Sequence, residues 1–156
     1  GYGLGWYANR DDPWPCLYRA VRPAWNDTNL CNLAEKLQVT LFFAHVRAAS
    51  QGMDVSENTC HPFRQGRYMW MHNGAVAQFF RIRRAILARL KGGAFDFALS
   101  CGTSDSAWCF ALFLNEIEDA ERPLQAHAIA DALNRSFKVL EELLLQEGVE
   151  EISLLN

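Results

Sequence analysis

The run Val39-Thr40-Leu41-Phe42-Phe43-Ala44-His45-Val46 is short, apolar and rich in β-branched and aromatic residues, so it reads as a buried strand. Period-two alternation puts Leu41, Phe43, His45 and Arg47 on one face. A second strand is expected over Tyr68 to His72, ended sharply by Asn73-Gly74. Upstream, Gly1-Tyr2-Gly3-Leu4-Gly5-Trp6-Tyr7 alternates glycine with larger residues, so one strand face is left bare for another backbone or a ligand. Cys16 to Val21 reads as a further strand, Asn26 to Asn32 as loop, and Leu33 to Leu37 as a short helical turn.

Downstream the period changes. Val76, Phe79, Phe80, Ile86, Leu87 and Leu90 form one face of a helix over Val76 to Leu90, closed by Gly92-Gly93. Phe95 to Leu99 reads as a short strand. An apolar helix follows over Ser106 to Leu114, and another over Leu124 to Gln146 with Pro123 at its start and Ile129, Leu133, Phe137, Leu140 and Leu144 on one side. Ile152 to Leu155 looks like a strand with no partner. Strands followed by mostly helices point to an α+β architecture.

Composition narrows the classes. The 156 residues are 50% hydrophobic and 21% charged, with a net charge of -3. A disordered or coiled-coil chain needs a different balance, and no global basic field invites nucleic acid or anionic lipid. No apolar run approaches the ~20 residues of a membrane span. Five cysteines without a C-x-x-C pair are unlike a disulfide framework. A cytoplasmic protein with no cofactor, no nucleic-acid partner and no membrane partner is expected.

Polar residues cluster at the ends of the apolar elements: His45-Val46-Arg47-Ala48-Ala49-Ser50-Gln51-Gly52, Asn58-Thr59-Cys60-His61-Pro62-Phe63, Met71-His72-Asn73-Gly74 and Gly102-Thr103-Ser104-Asp105-Ser106. In this order they resemble the class II glutamine amidotransferases, members of the N-terminal-nucleophile hydrolases. Gly3-Leu4-Gly5-Trp6-Tyr7 resembles that family's early strand. The similarity extends to the small branch that includes the amidohydrolase-like subunit of fungal glutathione degradation and the γ-glutamyl amidohydrolase of ergothioneine synthesis. It runs from Gly3 to about Asn156, so residues 1–156 read as one partial amidotransferase domain.

The resemblance implies a four-layer αββα sandwich, incomplete at both ends, that hydrolyses a γ-glutamyl amide through a thioester. Glutamine or a γ-glutamyl peptide is the implied substrate, and a partner subunit or homo-oligomer is compatible with it. Arg47 is expected to hold the α-carboxylate, for which a guanidinium fork is suited. Asp105 is expected to hold the α-ammonium, Asn73 and Gly74 to form the oxyanion pair, and His61 to line the pocket. These groups are expected to converge on one cleft walled by residues 48 to 62. The family's nucleophile is an N-terminal cysteine; Gly1 has no such side chain, so the start is expected to lie upstream and this chain alone to be inert.

Residue by residue, plainer readings stand beside these. Asp105 before an apolar helix suits a cap or dipole partner, Asn73-Gly74 a turn, and Arg47 a surface charge. Arg81, Arg83, Arg84, Arg89 and Lys91 read as a solvated helix face. Two other functions remain open: a non-catalytic γ-glutamyl-binding subunit, and a Cys–His hydrolase using Cys60 with His45 or His72. A metal site from His45, Cys60, His61 and His72 lacks zinc-like spacing.

Overall fold

Glycine spacing organises the first part of the chain. In the computed structural model, which describes residues 1–9, 11–48, 56–151 and 153–156, strand β1 (Tyr2–Tyr7) is the centre of an antiparallel sheet. It lies between β2 (Pro15–Ala20) and β3 (Phe42–Val46). A Cβ on Gly3 would run into the His61 carbonyl, and one on Gly5 would stand 2.6 Å from Met69 Sδ and 2.8 Å from Pro62 Cγ. The bare face of β1 is therefore filled by the segment at residues 61–62 and by the hairpin of β4 (Phe63–Gln65) and β5 (Tyr68–Trp70). That close approach is what the alternating glycines predict.

Two expectations in this part are corrected. Residues 26–37 are not a loop with one turn; helix α1 spans Thr28–Lys36. Asp27 starts it by accepting from the N–H groups of Asn29 and Leu30 at 2.9 and 3.2 Å, which satisfies two of the unpaired donors of a first turn. The hydroxyls of Tyr2 and Tyr18 donate to its other carboxylate oxygen, so the cap is also tied to the sheet. The run at 39–46 forms a strand only from Phe42, as β3, and it is not buried. β3 is an edge strand, and Phe42 and Val46 are 57% and 67% exposed. Hydrophobicity alone indicated an apolar strand without indicating what lies over each face.

Residues Gly1–Met71 and His72–Asn156 form two compact units. The second is built around helix α4 (Asp105–Asn115), in which every side chain from Asp105 to Leu114 is buried. Against it lie α2 (Phe79–Arg89), α3 (Gly92–Ser100) and α5 (Ala126–Gln146). Trp108 meets Phe79 edge-on at 5.2 Å between ring centroids, and Phe110 meets Phe97 likewise at 5.2 Å. Full burial of side chains such as Phe110, Ile82 and Leu140 stabilises by about 1.5–3 kcal/mol each.

Here too the helical and extended readings shift. Phe95 to Leu99 is helix, not strand: Ala94, Phe97 and Ala98 are the buried residues of α3, and a spacing of three and one belongs to a helix face. Helix α2 begins at Phe79 rather than Val76, because residues 74–76 are needed elsewhere. Asn73-Gly74 is not a turn. Strand β6 (Gly74–Ala75) opens there and pairs antiparallel with β7 (Leu154–Leu155). The C-terminal strand that lacked a partner in sequence finds it about 80 residues upstream. The mixed α+β class with antiparallel sheets is as expected, and no helix among the described residues is long and apolar enough to cross a membrane.

Candidate active site

The segment His72–Val76 is held along both edges. On one edge, Asn73 N–H donates to Asn156 O at 3.0 Å, and Gly74 and Ala75 stand opposite Leu155 and Leu154. Asn73 and Asn156 are thus a hydrogen-bonded pair, which makes Gly74 and Leu155 a non-bonded pair by the alternation of antiparallel ladders. The Gly74 N–H consequently points away from β7. The next N–H on that side, from Val76, donates to Asp105 Oδ2 at 3.0 Å. Gly74 has φ +149°, a value that side chains rarely adopt, and this suits a position where the ladder begins beside an irregular neighbour.

Asp105 opens α4 and is buried. Its Oδ1 accepts from Ser106 N–H at 2.8 Å, and Ser104 supplies the helix cap by accepting from Ala107 N–H. The plainer reading of Asp105 as a capping residue is therefore replaced by a more specific one: Ser104 is the cap, and Asp105 joins the first turn of α4 to the strand after Gly74. Ser106 and His72 complete the arrangement, with His72 Nδ1 2.8 Å from Ser106 Oγ. Ser106 carried no role in the sequence reading, and His72 entered it only as an alternative base for Cys60 and as a member of a metal set without zinc-like spacing. The available signal was position, one residue after Asp105 and one before Asn73.

In the other unit, Arg47 follows β3. Its N–H donates to Gly1 O and its carbonyl accepts from the Gly1 amine, which extends the β1–β3 ladder by one step. The guanidinium donates to Thr59 O at 2.9 Å. His61 is buried, with Nδ1 3.1 Å from His45 Nε2 and the two rings edge-on at 4.2 Å. A hydrogen bond between imidazoles requires a proton on one ring and a lone pair on the other, so one of the two rings donates and the other accepts. Phe63 also meets His61 edge-on, at 4.7 Å between ring centroids. The expected wall at 48 to 62 falls partly outside the described residues, since 49–55 are not among them.

Cys60 is poorly suited as a nucleophile. It is buried, with Sγ 3.7 Å from Ala20 O, and burial pushes its thiol up from the ordinary value. A thiolate is what attacks. No group of three or more His, Cys, Asp or Glu side chains among the described residues is arranged to hold a metal ion.

This chain belongs to the class II glutamine amidotransferases: residues 1–152 match the family described as "Glutamine amidotransferases class-II". Among its relatives is the Saccharomyces cerevisiae protein named "Probable glutamine amidotransferase DUG3", 40% identical over 121 residues, 76% of this chain and 33% of that protein. The Mycobacterium tuberculosis "Gamma-glutamyl-hercynylcysteine sulfoxide hydrolase" is 33% identical over 76 residues, 49% of this chain and 31% of that one. A solved glutamine aminotransferase class-II domain protein from Silicibacter pomeroyi shares the fold with a TM-score of 0.70 and 34% identity, covering 94% of this chain and 58% of its own. The chain spans about a third of the length of the curated relatives it matches.

Proposed function

We propose that the protein containing this sequence hydrolyses γ-glutamyl amides, glutamine or a γ-glutamyl peptide, by acyl transfer through a cysteine thioester. The cysteine thiol passes its proton to the α-amine of the same residue and attacks the δ-carbonyl carbon, whose oxygen becomes an oxyanion. On collapse to the thioester the C–N bond breaks and that proton goes to the leaving nitrogen. Water then adds to the thioester carbonyl, releasing glutamate and restoring the thiol. Asn73, through its side-chain amide, and Gly74, through its N–H, stabilise that oxyanion. Arg47 binds the substrate α-carboxylate, Asp105 its α-ammonium, and His61 lines the pocket. The nucleophile is assigned to an N-terminal cysteine beyond this sequence rather than to Cys60, whose burial works against a thiolate.

The observation that carries the reading is the direction of the Gly74 N–H. The register of β6 turns it away from the ladder, and a backbone donor preorganised in that way suits charge that develops only in the transition state. The test is glutamate release by the full protein. Asn73→Ala is expected to lower kcat by roughly 100-fold or more with KM little changed. Arg47→Ala is expected to weaken substrate binding by about 2–5 kcal/mol. Unchanged turnover in Asn73→Ala would remove the oxyanion role and the reading with it.

A further inference from the structure

One turn of α4 holds the oxyanion segment at two points. Asp105 takes the Val76 N–H after it, and Ser106 meets the imidazole of His72 before it. His72 and Ser106 are 4% and 5% exposed, so water does not compete freely for this bond. The hydroxyl also lies 3.4 Å from Asp105 Oδ1, toward which it donates. A serine hydroxyl has one proton. With that proton aimed at the carboxylate, Ser106 Oγ accepts from His72, which places the imidazole proton on Nδ1. The chain of donors then runs His72 Nδ1–H to Ser106 Oγ–H to Asp105, all from one side of the segment.

We propose that Ser106 is a positioning residue for the reaction: by holding His72 Nδ1, its hydroxyl sets where the adjoining Asn73 amide and Gly74 N–H stand. β7 fixes the opposite edge through Asn156 and through Ser153, whose Oγ accepts from Ala77 N–H at 3.0 Å. That edge sets the register of the strand, and the His72 contact holds its N-terminal end from the other side. Small displacements of catalytic donors are expensive in rate, with an ångström costing about 100-fold. The hydroxyl therefore acts on turnover without touching substrate. This inference rests on the amidohydrolase reading above.

Ser106→Ala in the full protein is expected to lower kcat by about 10- to 100-fold with KM within about two-fold. Ser106→Thr, which restores the hydroxyl, is expected to recover most of the loss. A second measurement avoids any variant: the imidazole 15N spectrum of wild-type protein above pH 7 is expected to show His72 protonated at Nδ1. A merely structural serine would lower thermal stability in Ser106→Ala while leaving kcat intact, and that result overturns the proposal. An Nε2-protonated His72 also overturns it. Wild-type protein that releases no glutamate, yet shows the Nδ1 proton, locates the failure in the amidohydrolase reading and removes the proposed role together with it.

Discussion

Replacing Asp105 separates the demands made on one carboxylate. Its two oxygens receive two N–H groups from different directions, Val76 at Oδ2 and Ser106 at Oδ1, and both bonds are buried. In Asp105→Ala both donors lose their acceptor. A stranded buried donor costs about 1–3 kcal/mol, so the pair costs about 2–6 kcal/mol. Asp105→Asn is similar in shape but has a single oxygen. Whichever way the amide is turned, its NH2 faces one of the two N–H groups, so one donor is stranded at about 1–3 kcal/mol. Urea denaturation of the full protein followed by Trp fluorescence should rank wild type above Asn above Ala in midpoint, with similar slopes. In the activity assay, both variants should lose affinity for a γ-glutamyl donor, because each removes the charge proposed to hold its ammonium. An Asp105→Asn protein as stable as wild type would refute the two-acceptor reasoning. If it also bound substrate normally, the ammonium role would fall as well.

Other perturbations probe the scaffold. Gly3→Ala should destabilise the protein by about 1–3 kcal/mol, because the added Cβ meets the His61 carbonyl; an unchanged melting temperature would contradict that close approach. Asp27 is held below the usual carboxylate range chiefly by the Tyr2 hydroxyl. Its contribution to stability is then fully present above the unfolded-state pKa of about 3.9 and lost as pH falls through the lower folded value. The stability gap between wild type and Asp27→Asn, from thermal melts across pH 7 to 2, should close below about pH 4; a constant gap would contradict the linkage. Native alkylation with iodoacetamide should label the exposed Cys16 and Cys31 first. Cys109, pushed up to about 12 by burial, and Cys60 should react only on unfolding, as mass spectrometry of the labelled peptides will show.

Much of this was legible from residue order. The alternation of Gly3 and Gly5 with larger side chains announced a close neighbour for β1, and the structure places residues 61–62 and Met69 there. The apolar stretch after Asp105 announced a buried helix, and α4 is buried throughout its apolar length. The four polar motifs, in sequence order, marked the family and the residues worth testing. Local pattern was least informative where apolar residues were close together: Phe95 to Leu99 satisfies an alternating pattern and a helical one, and its packing in the helical unit selected the helix.

The amino-acid sequence by itself determined the class of fold and the types of side chain available for chemistry, because these follow from periodicity, composition and short-range order, and the resemblance of its ordered motifs to known proteins marked the family. Tertiary structure decided which partners those groups meet. Asn73-Gly74 is a turn by local preference, and becomes the start of a strand only because Leu154–Leu155 arrives from the far end of the chain. Asp105 is a helix-start residue by local preference, and becomes a brace for that strand because Val76 N–H lies beside it. Both outcomes depend on partners 29 to 81 residues away. A backbone N–H acquires its direction from the strand it pairs with, and that pairing is a property of the folded chain.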